Sequence, residues 1–169
     1  FVAFSYDGPN QLYHYTPANG AIAKQPIPAS TGSELFSEIA IDSRGHVIFA
    51  EGGILLDIDP NGGVKELSLP ETQYYAKQQE WEGAFVTDMA LSKADRAYVS
   101  RMNSAAVTEV DLVTGSAKEI PLPGSLGQVY FVEMVGDALW MTTWADTATK
   151  PSQTAVLNLA TAVTEITPI

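Results

Sequence analysis

In a chain of 169 residues, 46% are hydrophobic and 17% charged, which is enough apolar material for a folded core of ordinary size. Twenty Asp and Glu against nine Lys and Arg leave a formal charge of −11, which repels phosphate backbones and anionic headgroups and so argues against nucleic acid or a membrane surface as partner. The lack of cysteine removes disulfides, thiolate metal sites and cysteine nucleophiles, and no apolar run reaches the roughly 18 to 20 residues of a membrane span.

Phe1 to Tyr6 reads as a short strand. A start at Phe1 rather than Met fits a processed or excised polypeptide. Leu12 to Ile22 then runs through Pro17-Ala18-Asn19-Gly20, a turn sequence tolerant of positive φ, and predicts a hairpin that ends at Ile27-Pro28. Glu38 to Ala50 reads as strand, polar turn at Ser43-Arg44-Gly45, and strand. Ile58 to Pro70 is a second hairpin about Asn61-Gly62-Gly63. Beyond the long connection 71–87, Asp88 to Ser100 repeats the strand–turn–strand unit fifty positions on, its apolar positions matching at 39/89, 41/91, 47/97 and 49/99. Val110 to Pro123 repeats the hairpin, and Val156 to Pro168 repeats it again.

The prolines at 28, 70, 123 and 168 are 42, 53 and 45 residues apart, with about four strand-like runs in each interval. Four short strands per 40 to 50 residues is the period of a β-propeller blade. A β-sandwich would explain the strand spacing but not the recurring order of turns. The predicted fold class is therefore all-β, with blades of four antiparallel strands, in units of approximately 1–28, 29–70, 71–123 and 124–168. The first unit lacks an innermost strand, and the count fits a segment of a six- to eight-bladed ring better than a four-bladed ring. Ile39, Ile41, Val47, Phe49, Ile58, Met89, Leu91, Ala97, Val99 and Val110 are the predicted core. The terminal blades should expose Phe1, Val2, Phe4 and Tyr6 at one end and Val129, Phe131, Leu139 and Trp140 at the other, which implies a homo-oligomer, a complementary propeller segment or a longer parent chain.

Two stretches carry a resemblance. Ile39-Ala40-Ile41-Asp42-Ser43-Arg44-Gly45-His46-Val47-Ile48-Phe49-Ala50-Glu51, followed by Ile58-Asp59-Pro60-Asn61-Gly62-Gly63-Val64-Lys65-Glu66-Leu67-Ser68-Leu69-Pro70, resembles the repeat of the streptogramin-lyase-like propellers. The related NHL-repeat and gluconolactonase-like (SMP-30) propellers share much of that pattern, and Ala97 to Ser100 is similar to the YVTN type. The resemblance implies a propeller and, as one option, metal-dependent lyase or lactonase chemistry near the axis. Such chemistry uses histidine, glutamate or carboxylate and amide side chains there, and neither His14 nor His46 falls in a matching motif.

In a propeller of this kind the loops entering the innermost strand share a face with those joining the second and third strands, and ligands bind on that face. Glu38 and Asp88 start innermost strands at equivalent positions. Two converging carboxylates suit a divalent cation such as Ca²⁺, which wants hard oxygen ligands. Glu51 ends a second strand, and its equivalent Arg101 suits a ligand carboxylate. The long connection brings Tyr75 and Trp81, able to stack on a sugar, a planar ligand or a cation or simply to cover the blades. His46 should lie on the opposite face and His14 between blades. No nucleophile elbow and no phosphate loop is present. The expected function is a secreted or periplasmic, non-catalytic scaffold that binds a small molecule, glycan or protein through these loops. The alternative is a lyase or lactonase-type enzyme with part of its site outside this chain.

Overall fold

The computed structural model describes residues 2–4, 11–26, 37–51, 54–70, 85–102, 104, 106–143 and 152–168. Among these there is no helix, and fifteen strands form four antiparallel sheets. Blade 1 is β1 (Val2–Phe4), β2 (Gln11–Thr16) and β3 (Ala21–Pro26). Blade 2 is β4 (Ser37–Ile41), β5 (Val47–Glu51), β6 (Ile54–Ile58) and β7 (Val64–Leu67). Blade 3 is β8 (Val86–Leu91), β9 (Arg96–Arg101), β10 (Ala106–Asp111) and β11 (Ala117–Pro121). Blade 4 is β12 (Val129–Val135), β13 (Ala138–Thr143), β14 (Gln153–Asn158) and β15 (Val163–Pro168). Each sheet is a simple meander, so strand order follows chain order.

The outer hairpins close by one chemical device. Asp59 Oδ1 accepts from the backbone N–H of Asn61 (2.6 Å) and Gly63 (3.1 Å), Asp111 Oδ1 from Val113 (3.1 Å) and Thr114 (2.8 Å), and Asn158 Oδ1 from Ala160 (3.0 Å) and Thr161 (3.1 Å). In blades 2 to 4 a short polar side chain at the end of the third strand or just after it thus folds the chain back on itself. Gly63 is required by space, since a Cβ there would collide with the Asp59 carboxylate.

Each blade buries one face against the next, and three apolar clusters fill the junctions. Leu12 of blade 1 meets Val47, Phe49, Leu56 and Ile58 of blade 2. Ile48, Ala50, Leu55 and Leu67 of blade 2 meet Val86, Met89, Ala97, Val99 and Val110 of blade 3. Ala90, Tyr98 and Val107 of blade 3 meet Val132, Leu139, Met141, Ala155 and Leu157 of blade 4. The strands of an interior blade are therefore apolar on both faces.

Seven of the ten predicted core residues are buried, and Ile39 and Leu91 pack against the clusters. Ile41 departs from the expectation at 54% exposure. Its pairing with Val47 places it at the register of Leu91, which pairs with Ala97. Leu91 packs into the junction with blade 2, whereas Ile41 faces the side of blade 1, whose described sheet has three strands. At the far end Phe131 and Trp140 are exposed as expected, but Val129 and Leu139 are 2% and 0% exposed. Side chains alternate across a strand, so these two point back into blade 3. Phe1 and Tyr6 lie outside the described residues, and Val2 and Phe4 are placed by backbone alone.

Candidate functional site

Register places Glu38, Asp88 and Phe131 at equivalent positions on β4, β8 and β12, since they pair with Ala50, Ser100 and Thr142. Blades 3 and 4 each carry a bulge just before that position, between Val86 and Asp88 and between Val129 and Phe131. A bulge re-aims the following side chain. Asp88 is the case in point: one carboxylate oxygen accepts from Met89 N (2.8 Å) and the other from Val132 N in the next blade (2.7 Å).

Both axial carboxylates are held more weakly acidic than usual. Burial raises Asp88 most, against the lowering by its two backbone donors, and the Glu133 charge adds to the rise. Burial raises Glu38, and the negative charge of Asp88 raises it further. Burial thus opposes ionisation at both carboxyls, and the Asp88 charge opposes it further at Glu38. Among the described residues no three His, Asp or Glu side chains come together in a way that could hold a metal ion. Two carboxylates fall short of the six to eight oxygens Ca²⁺ takes, so the described side chains do not fit the metal centre that the resemblance implies.

Arg101 is 5% exposed. Its guanidinium donates to Glu119 (2.5 Å) and to the Pro70 carbonyl (2.7 Å), and Thr108 Oγ1 also donates to Glu119 (2.6 Å). Arg101 thus grips a carboxylate of its own blade and the end of blade 2. Glu51 is placed by its backbone, paired with Ser37 and Ile54. Tyr75 and Trp81, with the connection 71–84, lie outside the described residues.

At the other end of the blades lies a network that composition and spacing did not bring out. His46 Nδ1 is 2.6 Å from Asp57 Oδ1, and Arg44 donates to both Asp42 (2.7 Å) and Asp57 (3.1 Å). Next to it Ser43 donates its N–H (2.9 Å) and hydroxyl (2.6 Å) to Asp95 of blade 3. A cleft of about 350 Å³ opens here, with Arg44, His46, Asp59 and Lys65 in its wall. The sequence signal was the run Asp42-Ser43-Arg44-Gly45-His46, legible as a turn but not as half of a pairing with Asp57. His46 accordingly sits in a polar clasp away from Glu38 and Asp88, and His14 lies on the blade 1 face that also carries the buried Leu12.

The chain resembles virginiamycin B lyase from Staphylococcus aureus over 99% of its length and 54% of that protein, with a TM-score of 0.66 at 16% identity. A streptogramin B lyase structure matches over 99% of this chain and 53% of that one, with a TM-score of 0.69 at 17% identity. The fold is a streptogramin-lyase-like β-propeller. A nidogen/laminin complex also matches, with a TM-score of 0.64 at 9% identity over 94% of this chain and 56% of that one. The chain spans about half the length of these solved structures. No protein-family model and no curated protein matches it. A lyase and a nidogen/laminin complex both match, so likeness at this identity concerns the scaffold alone. No described helix is long and apolar enough to cross a membrane.

Proposed function

We propose that this propeller is a binding scaffold that takes, at the axial rim, a small molecule, glycan or protein group carrying positive charge. The observation that carries the proposal is the placement of Glu38 and Asp88 at equivalent positions of β4 and β8, where burial holds both carboxyls less acidic than usual. A cation there relieves both the burial and the mutual repulsion of the two carboxylates. In this reading Glu51, Tyr75 and Trp81 complete the rim, with the aromatic rings adding stacking or cation–π contact. Arg101, already engaged by Glu119, supports the rim from behind. A chain working through such loops at a secreted or periplasmic location needs no reacting group.

The competing reading, a lyase or lactonase-type enzyme, draws on the likeness of the fold to the streptogramin B lyases. It requires histidines or further carboxylates from blades outside this chain. Calorimetric titration with tetramethylammonium, set against its neutral isostere tert-butanol, tests the binding reading. Preferential binding of the cation that is lost in Glu38→Gln supports it. Equal weak binding of both probes, or retention in Glu38→Gln, overturns it.

A further inference from the structure

One polar row recurs on two blades, and only one of them completes it. In blade 2 Asp57 pairs across the sheet with Ile48 on one side and Lys65 on the other, and in blade 3 Glu109 pairs likewise with Tyr98 and Lys118. Glu109 closes its row, accepting from Arg96 and lying 3.3 Å from Lys118 Nζ. Asp57 gives one oxygen to His46 (2.6 Å) and the other to Arg44 (3.1 Å). Its side chain is also one methylene shorter than that of Glu109, so Lys65 is left without the carboxylate that Lys118 has.

Lys65 reaches toward blade 3 instead. It lies two residues before Leu67, which packs into the junction with that blade, so it shares the same face of β7. Its ammonium ends beside the turn between β10 and β11, where a Cβ on Gly115 would be 3.2 Å from Nζ. Among the described residues no acceptor holds that ammonium. The cleft of about 350 Å³ is walled here by Arg44, His46, Asp59 and Lys65 from blade 2 and by Leu112 and Val113 from blade 3. The Arg44 charge is already matched by Asp42 (2.5 Å) and Asp57 (3.1 Å). Val113 is 62% exposed, so the blade 3 wall is an accessible apolar surface.

We propose that this interblade cleft binds an aliphatic monocarboxylate, its carboxylate on Lys65 and its alkyl group against Val113. Three features select that class. A carboxylate gives Lys65 the charge-assisted partner that Lys118 finds in Glu109. Asp59 in the same wall repels a dianion such as phosphate more than it repels a monoanion. Leu112 and Val113 opposite favour an alkyl group over a second charged one. A free acid and the C-terminal carboxylate of a peptide share this chemistry. Both walls belong to the described junction of blades 2 and 3, at the other end of the blades from Glu38 and Asp88, so the inference is independent of the axial proposal.

Nuclear magnetic resonance titration of the isotope-labelled chain with isovalerate, set against isovaleramide and inorganic phosphate at constant ionic strength, tests it. Isovalerate should shift the backbone amides of Lys65 and Val113 saturably in the millimolar range, with isovaleramide and phosphate about tenfold weaker. Lys65→Gln should lose about tenfold in affinity for isovalerate, whereas Lys118→Gln should lose none. Val113→Ser should narrow the preference for isovalerate over acetate. N-acetyl-leucine separates the two sources: tighter binding than isovalerate supports the proposal with a peptide terminus as ligand, and weaker binding supports it with a free acid. Equal binding of isovalerate and isovaleramide, phosphate binding as tight as isovalerate, or undiminished affinity in Lys65→Gln overturns it. So does an equal loss in Lys118→Gln, or a preference over acetate that Val113→Ser leaves unchanged.

Discussion

Phe49 offers the sharpest test of how blade 1 is held, because one side chain serves both the blade 2 strand that carries it and the junction with Leu12. Phe49 and Leu12 are each 0% exposed in a single cluster with Val47, Leu56 and Ile58. Truncation to Ala removes the buried ring and leaves a cavity that neighbouring strands cannot close, so Phe49→Ala should destabilise by about 3 to 5 kcal/mol and Leu12→Ala by about 2 to 5 kcal/mol. For a chain of this size each kcal/mol moves the melting temperature by about 2 to 4 °C, so Phe49→Ala should lower it by roughly 6 to 20 °C. Contact across the junction makes the pair non-additive, with a coupling of about 0.5 to 3 kcal/mol. Urea titrations of the wild type, both single variants and the double variant supply the cycle. Additivity within about 0.5 kcal/mol would refute the reasoning, since Leu12 would then be buried without depending on Phe49.

Glu38→Gln should raise the melting temperature at neutral pH, because ionising Glu38 costs stability once pH passes from the ordinary glutamate value of 4.5 up through its raised folded value; melts below 4.5 should show no gain. Asp95→Asn should do the opposite. The Asp95 carboxyl is held below its usual range, first by the Ser43 hydroxyl and then by the Ser43 N–H, so the wild-type advantage in melting temperature is present above the ordinary aspartate value and fades as pH falls through the lowered folded one. Arg101→Met should destabilise by about 3 kcal/mol in urea unfolding, because it strips Glu119 and the Pro70 carbonyl of a 5% exposed partner.

The sheets were legible because each blade repeats a strand–turn–strand unit and a hairpin whose apolar positions recur in register. Matching Ile39 with Met89 and Phe49 with Val99 also matched their ladder partners. The exposure of Ile41 was not legible, since a residue's own pattern cannot show that the described sheet on its side has three strands and not four. The burial of Val129 and Leu139 was missed for a related reason: naming a terminal strand as open ignores that only alternate side chains face outward. The equivalence of Glu38 and Asp88 was readable from the fifty-residue offset. What each carboxylate touches was not, because the Asp88 bond to Val132 N spans 44 residues and depends on a bulge that leaves no mark in the pattern.

That bulge also explains why the axial positions resist reading by repeat. It inserts Thr87 into β8, and Thr87 Oγ1 meets Ser100 Oγ at 2.9 Å, within a ladder otherwise closed by backbone bonds. Ser100 Oγ is also 3.3 Å from the carbonyl oxygens of Asp88 and of Tyr130 in blade 4. Asp88, turned by the same irregularity, reaches the N–H of Val132. The inner strands of blades 3 and 4 are therefore joined by polar bonds at the axis as well as by the apolar junction behind it. In blade 2 the equivalent strand pairs without interruption from Ser37 to Ile41, and Ala50 stands where Ser100 does. Glu38 thus keeps the position of Asp88 without the bulge that re-aims it. Packing accounts for Asp88, since removing it would leave a backbone donor of the next blade unpaired. It does not account for a second carboxylate whose ionisation is opposed by the first. Under the proposed binding reading, Glu38 is therefore the carboxylate at which a bound cation changes stability most, since burial first and the Asp88 charge second oppose its ionisation.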